Sequence, residues 1–188
     1  MRHISLLLAL TAVLLPGVLS SGTIGKVREK LDGYDRIEVA PIRNKVGDVL
    51  DTKTLTELQD MIVETINESK LMAAALDASA AFPKRNPDDD TKLVFEGTGK
   101  DEDKGTLVLF TEIITFNKGS RAKRYWVGGG SGRAELRGNC YLMDKSTGEQ
   151  LYNFQTFGES NWGLFGGGND KAPKGFANRI VNFIKGKY

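Results

Sequence analysis

The side chains that most often carry out chemistry are scarce in this chain of 188 residues, which contains one histidine and one cysteine. The histidine, His3, lies in an N-terminal segment that we expect to be removed on export. Without it, a serine or cysteine nucleophile activated by an imidazole base is excluded. A zinc site with imidazole or thiolate ligands is excluded too. Carboxylate, lysine and tyrosine side chains remain for proton transfer.

Carboxylates offer one catalytic alternative, and the available glutamates are Glu96, Glu112, Glu135 and Glu159. A glycan hydrolase needs two carboxyl groups about 5–10 Å apart, and no spacing in the sequence singles out such a pair. We therefore predict no catalytic residue and no enzyme activity. The acidic clusters at 88–90 and 101–103 lack the alternating ligand positions of a calcium loop. We interpret them as solvated loops, and we predict no metal site and no cofactor.

A first binding candidate is a basic segment with aromatic neighbours, in which Arg121, Lys123 and Arg124 precede Trp126. Basic residues beside aromatic ones bind anionic lipid headgroups or acidic polymers. The alternative is a solvated hairpin tip with one ring packed on the sheet. The glycine run at 128–132 lacks the Lys-Ser/Thr of a phosphate-binding loop and precedes a strand, so it is interpreted as a flexible hairpin loop.

A second candidate is the glycine-rich segment that carries Trp162, Leu164 and Phe165. These side chains either fold back onto the sheet edge or stay exposed and meet a partner or a membrane interface. The two segments flank a predicted hairpin, at the end opposite its turn. We therefore predict that Arg121, Lys123, Arg124 and Trp126 lie near Trp162, Leu164 and Phe165 and form one binding surface.

The elements that position these segments follow from the hydrophobic periodicity. Strands are predicted at 36–42, 92–96, 106–117, 133–143 and 150–157, with a hairpin turn at 144–149 and loops at 43–51, 82–90 and 158–171. A helix is predicted to start at Thr54, where Thr54 and Glu57 have the spacing of a capping box. Residues 70–81 are predicted as a second helix or its continuation, and 172–187 as a closing helix. The predicted fold is a single α/β domain with a mixed, mostly antiparallel sheet and packed helices.

Cys140 lies on the buried parity of the strand at 133–143, with Leu136, Gly138 and Leu142. We interpret it as a small core residue. An intermolecular disulfide is the alternative, because exported chains meet oxidising conditions.

The N-terminus predicts an exported protein. A short positive start, an apolar run shorter than a membrane-spanning helix and a small-residue site before Ser21 are typical of a signal peptide. We predict a signal peptide at 1–20, a leader at 21–35 and the α/β domain at 36–188. Ser21 stands where a lipoprotein would have its acylated cysteine, so no lipid anchor is predicted.

Residues Gly128-Gly129-Gly130-Ser131-Gly132-Arg133-Ala134, the strand after them and the turn 144–149 resemble an uncharacterised bacterial envelope family. The resemblance implies a fold similar to the periplasmic domains of the curli-secretion lipoprotein and the penicillin-binding-protein activators. Many members of that family are lipoproteins. Its motifs are turns and strands, so it implies no catalytic residues.

The chain is therefore predicted to be a periplasmic or secreted envelope protein that acts as a non-enzymatic binding or assembly module. The 26 basic and 24 acidic residues argue against nucleic acid. The expected partners are an envelope protein, an anionic polymer or a membrane surface, and a homo-oligomer is left open. The alternatives are the glycan hydrolase and a subunit of a secretion or pore assembly, in which residues 113–125 would extend as a membrane hairpin.

Overall fold

The computed structural model describes residues 31–89, 92–117, 134–160 and 171–186, which form one mixed sheet with two helices packed on it. In chain order the elements are β1 (Arg36–Val39), β2 (Arg43–Asn44), α1 (Thr52–Glu68), β3 (Ala73–Leu76), β4 (Lys84–Arg85), β5 (Leu93–Val94), β6 (Thr106–Asn117), β7 (Ala134–Asp144), β8 (Gln150–Ser160) and α2 (Lys171–Ile184). The predicted fold class is confirmed.

The main sheet has the strand order β3-β1-β6-β7-β8, and β2 pairs with β6. β1 is parallel to β3 and β6, and β2 is parallel to β6 further along that strand. β6, β7 and β8 form an antiparallel meander. β4 and β5 pair with each other in a separate two-stranded piece.

One face of the sheet carries both helices and holds the larger core. The sequence predicts an apolar face of the closing helix from the helical spacing of Phe176, Ile180, Val181, Phe183 and Ile184. All five are buried on α2, together with Ala172 and Ala177. Burial of each large side chain stabilises the fold by ~1.5–3 kcal/mol. Cys140 lies in this core, fully buried, and its burial raises the pKa of the thiol to about 12. The interpretation of Cys140 as a core residue is confirmed.

The second face of the sheet has a smaller apolar cluster that the sequence did not indicate. Phe82 and Phe95 lie against Phe110 with ring centroids 5.6 Å and 5.3 Å apart. Tyr141 and Met143 are buried in the same cluster. β6 and β7 are therefore covered on both faces here. A pattern of alternating buried and exposed residues predicts fewer buried residues than these strands have.

The predicted start of the first helix is wrong by two residues. Asp51 is the N-cap, and its carboxylate accepts a hydrogen bond of 2.7 Å from the backbone N–H of Thr54. A carboxylate at this position also interacts favourably with the helix dipole. The helix therefore begins at Thr52, and its N-cap lies three residues before Thr54.

The prediction of a helix at residues 70–81 is also wrong. Lys70 has a φ of 56°, which ends α1, and residues 73–76 form β3 beside β1. Alanine favours helix, but pairing with the buried strand β1 overrides that preference. Asn67 closes the outer edge of β3, since its side chain accepts from Ala74 N–H and donates to Ala74 C=O, at 2.8 Å and 3.0 Å.

The loop predicted at 158–171 is shorter than expected at both ends, because β8 continues to Ser160 and α2 begins at Lys171. Glycine permits this arrangement. A Cβ at Gly158 would lie 1.7 Å from the carbonyl oxygen of Ala172, and one at Gly138 would lie 2.9 Å from the Phe176 ring. These two glycines let α2 approach the sheet closely.

Candidate functional site

The seven predicted binding residues, Arg121, Lys123, Arg124, Trp126, Trp162, Leu164 and Phe165, lie outside the described residues. The ends of the segments that carry them are described. Ala134 pairs with Ser160, and Asn117 pairs with Glu135. Neighbouring strands are about 5 Å apart, so these ends lie at one end of the sheet, within about 10 Å of each other. That the two segments form one surface stays a prediction.

Near this end of the sheet, charged side chains of β7 and α2 meet an aromatic ring of β8. The guanidinium of Arg179 lies 3.4 Å from the centroid of the Phe157 ring, and that of Arg137 lies 5.9 Å from it. Arg137 also forms an ion pair with Glu135. A cation held over a ring face is oriented by the ring quadrupole. Two guanidinium groups are therefore held by the Phe157 ring, three residues from the described end of β8.

Two of the candidate catalytic glutamates lie side by side. Glu135 and Glu159 are direct partners across β7 and β8. Cβ atoms of such partners are about 4.5–5.5 Å apart. The sequence could not show this, because the two residues are 24 positions apart and their pairing depends on the hairpin register. The carboxylate of Glu135 is bound to Arg137, whereas Glu159 is exposed.

A third candidate glutamate, Glu112 on β6, is buried with its side chain 5% exposed. Its Oε1 lies 3.7 Å from Arg43 Nη1 and 3.5 Å from Lys45 Nζ. The pairing of β2 with β6 brings both cations to Glu112. Arg43 is in register with Glu112, and Lys45 directly follows β2. Sequence analysis treated 43–51 as a loop and so missed this site. The signal that could have found it is the alternation of Arg43 and Lys45.

A second charged cluster lies at the opposite end of the sheet, beside the turn between β7 and β8. Lys145 Nζ lies 2.8 Å from Glu38 Oε1 and 2.9 Å from Asp103 Oδ1. The Thr98 hydroxyl donates to Asp103 Oδ2 at 2.7 Å. The hydrogen bond from Lys145 is the largest influence on Asp103 and lowers the pKa of its carboxyl. The prediction of a solvated acidic loop is therefore wrong for Asp103.

Asp144 completes this end of the sheet. It accepts hydrogen bonds from the Tyr34 hydroxyl at 2.6 Å, the Ser146 hydroxyl at 2.7 Å and the Thr147 N–H at 2.8 Å. Burial opposes ionisation of Asp144, but these hydrogen bonds outweigh it and lower the pKa of the carboxyl. Burial, and then Asp144, raise the pKa of Tyr34. These contacts fix the turn and join it to Tyr34.

The remaining structural features carry less chemistry. A groove of about 380 Å³ beside Tyr34 is lined by Leu31, Leu71, Met72 and Lys185, among others. Within the four described ranges, no group of three or more histidine, cysteine or acidic side chains could hold a metal ion. Neither helix in the described part is long and apolar enough to cross a membrane.

Several solved structures are similar to this chain. PelC from Paraburkholderia phytofirmans, solved as a dodecamer, aligns with a TM-score of 0.49 at 11% identity, over 81% of this chain and 89% of PelC. The hypothetical protein CT253 from Chlamydia trachomatis has a TM-score of 0.47 at 12% identity, over 80% and 98%. Lipoprotein GNA1162 from Neisseria meningitidis has a TM-score of 0.38 at 15% identity, over 80% and 94%.

Among curated protein sequences, none matches this chain. The expected likeness to the curli-secretion lipoprotein and the penicillin-binding-protein activators stays a prediction. A family model matches residues 91–162, which contain β5 to β8 and the first of the two predicted binding segments. Over that part, the chain is similar to the family described as a domain of unknown function, DUF4410.

Proposed function

We propose that this protein is a non-enzymatic binding or assembly module of the bacterial envelope. It binds an anionic partner at the end of the sheet where Ala134 pairs with Ser160. The pairing of Ala134 with Ser160 carries the proposal, because it starts both predicted binding segments from adjacent strand ends. Residues 118–133 contain five basic residues and no acidic one, whereas the whole chain is nearly neutral. Positive charge is therefore concentrated in the part of the sequence that joins β6 to β7.

The partner that fits is an anionic polymer or an anionic membrane surface. Basic side chains supply long-range attraction to such a surface, about 1 kcal/mol for each residue near it. Apolar rings at 162 and 165 add contact area at the interface. Because the polymer and the membrane surface are both negatively charged, the test uses a separate probe for each.

The test measures binding of the mature chain to two probes, vesicles that contain phosphatidylglycerol and a soluble polyanion such as dextran sulfate. The variant Arg121→Ala/Lys123→Ala/Arg124→Ala should lose most of the binding. The matched control Lys53→Ala/Lys84→Ala/Lys104→Ala removes the same charge from exposed positions elsewhere and should bind like the original chain. Vesicle binding alone would indicate a membrane surface, and polyanion binding alone a polymer.

The proposal fails if the original chain binds neither probe. It also fails if the two triple variants lose binding equally, because binding would then depend on overall charge alone. Circular dichroism of both variants shows whether the fold is intact.

The pairing of Glu135 with Glu159 favours a second candidate, a carboxylate-based hydrolase of cell-wall glycan. Retaining glycosidases hold two carboxyl groups about 5–5.5 Å apart, which cross-strand partners can match. In that case, the purified chain should release sugar from peptidoglycan, and Glu159→Gln should abolish the release. The ion pair of Glu135 with Arg137 argues against this function, because it occupies one of the two carboxylates.

A further inference from the structure

The site around Glu112 has more positive than negative charge. Arg43 and Lys45 share one carboxylate oxygen of Glu112, at 3.7 Å and 3.5 Å. Both distances exceed the roughly 2.7–2.9 Å of a strong charge-assisted hydrogen bond. A guanidinium has five donors and an ammonium has three. The two side chains therefore keep donors that can serve a second acceptor.

The two cations are held in place by the backbone and by a ring. The N–H of Lys45 donates to the carbonyl of Ile113 at 3.0 Å, which fixes the chain after β2 to β6. The Asn44 side chain donates to the carbonyls of Gly47 and Leu50. The guanidinium of Arg43 lies 3.8 Å from the centroid of the Phe82 ring. Binding an anion therefore requires little additional ordering of Arg43.

The site is open to solvent on the cation side only. The side chains of Arg43 and Lys45 are 40% and 49% exposed, whereas that of Glu112 is 5% exposed. The buried carboxylate lowers the charge of the site to one positive unit and faces the protein. Tyr141 lies on the same face, because it pairs with Phe110, two residues before Glu112 on β6. Burial and then Glu112 raise the pKa of the Tyr141 hydroxyl, while Arg85 acts in the opposite direction. An approaching ligand meets the two cations first.

We propose that Arg43, held against the Phe82 ring, and Lys45, held by its backbone bond to Ile113, bind a singly charged oxyanion, a phosphodiester or a carboxylate group. The charge of such a group matches the one positive unit that Arg43, Lys45 and Glu112 have together. Glu112 is five residues before the end of β6, about 17 Å from it. This site would add a second contact for the anionic partner of the proposed function. It rests on that function for one point, that a single partner spans both this site and the end of β6.

The experiment titrates the mature chain with dimethyl phosphate and, separately, with acetate, followed by NMR of backbone amide and guanidinium resonances. Saturable shifts should centre on residues 43–45, 112–113 and 139–141. Arg43→Gln and Lys45→Gln should each weaken binding about fivefold, or about 1 kcal/mol. Arg36→Gln and Lys104→Gln, which change exposed cations elsewhere, should have no effect.

Glu112→Gln should change the affinity in the opposite direction to Arg43→Gln and Lys45→Gln. It removes the negative charge next to the ligand, so the affinity for dimethyl phosphate should rise. A purely structural role for the cluster would lower it or leave it unchanged. Should this buried substitution prevent folding, the exposed Lys45→Gln variant still decides the question.

The inference is overturned if Arg43→Gln/Lys45→Gln binds like the control variants, or if the shifts do not saturate and are spread over all exposed cations. Vesicles that contain phosphatidylglycerol identify the source of the anion. A loss of vesicle binding in Lys45→Gln indicates a lipid headgroup, and unchanged vesicle binding with weaker dimethyl phosphate binding indicates a soluble or polymeric group. The variant Arg121→Ala/Lys123→Ala/Arg124→Ala should retain this site, so the two proposals can fail separately.

Discussion

Lys145 contacts two carboxylates, those of Glu38 and Asp103, at the turn end of the sheet. Burial works against its charged form, but Glu38 and Asp103 outweigh burial and raise the pKa of the Lys145 ammonium. Hydrogen bonds lower the pKa of Asp103 and of Asp144. Stability from a carboxyl of lowered pKa is present above its ordinary pKa of about 4 and is lost as the pH falls through the folded value.

We predict that the free energy of unfolding declines as the pH falls below about 4. The contribution of Lys145 itself is complete below about pH 10.4 and is lost as the pH rises through its raised pKa. In Lys145→Met, stability at pH 7 should fall and the decline in acid should become shallower. Urea unfolding at pH 7 and pH 3 measures both effects. Lys104→Met, which removes an exposed ion pair with Asp101, should show neither.

A second residue-scale prediction concerns the like charges of Glu135 and Glu159, which face each other across β7 and β8. Like charges directly opposite are destabilising, and opposite charges contribute roughly 0.2–1 kcal/mol. Glu159→Lys should therefore stabilise the chain by about 0.5 kcal/mol at low salt. The gain should vanish in high salt. An equal gain from Glu64→Lys on the exposed side of α1 would assign the effect to net charge instead.

At the scale of elements, the contact between α2 and β8 depends on one glycine. A Cβ at Gly158 would lie 1.7 Å from the Ala172 carbonyl oxygen, so the helix must move if alanine is introduced. Gly158→Ala should destabilise the chain by about 1–3 kcal/mol, the usual effect of overpacking. Gly175 is a matched control on the helix, where the nearest atom to an added Cβ is 3.5 Å away.

Gly175→Ala should be neutral or stabilising by up to about 1 kcal/mol, because alanine favours helix. Chemical denaturation of both variants gives the comparison. If the two variants differ little, α2 can shift on the sheet without loss, and the glycine contact does not fix its position.

Periodicity predicted the long elements well and the short ones poorly. The strand at 106–117 and the buried face of α2 agree with the structure, because each has many residues whose pattern is reinforced by packing. β3 was predicted as helix because an alanine run carries no strand signal, and only its pairing with β1 makes it a strand. The sites at Glu112 and Lys145 could not be predicted, since each joins residues that are brought together by parallel pairing or by a turn packed on a distant segment.

At the scale of the whole molecule, the sheet has two unequal faces. The helices cover one face along its length, and on the other the apolar cluster around Phe110 lies next to the Glu112 and Lys145 clusters. Guanidinium groups lie near the end where β6, β7 and β8 meet the two predicted binding segments. Binding at that end would leave the helix-covered core unchanged, so substitutions within the two predicted binding segments should alter binding without altering stability.

The last prediction tests whether the two segments act as one surface. Trp162→Ala/Phe165→Ala should abolish binding to vesicles that contain phosphatidylglycerol and leave the free energy of unfolding unchanged. Combined with Arg121→Ala/Lys123→Ala/Arg124→Ala, it should lose no more binding than the aromatic variant alone, because the losses of residues that contact one ligand together are not additive. If instead the aromatic variant is destabilised by several kcal/mol, as loss of buried rings would require, and still binds vesicles, those rings belong to the core. The binding surface then consists of the basic segment alone.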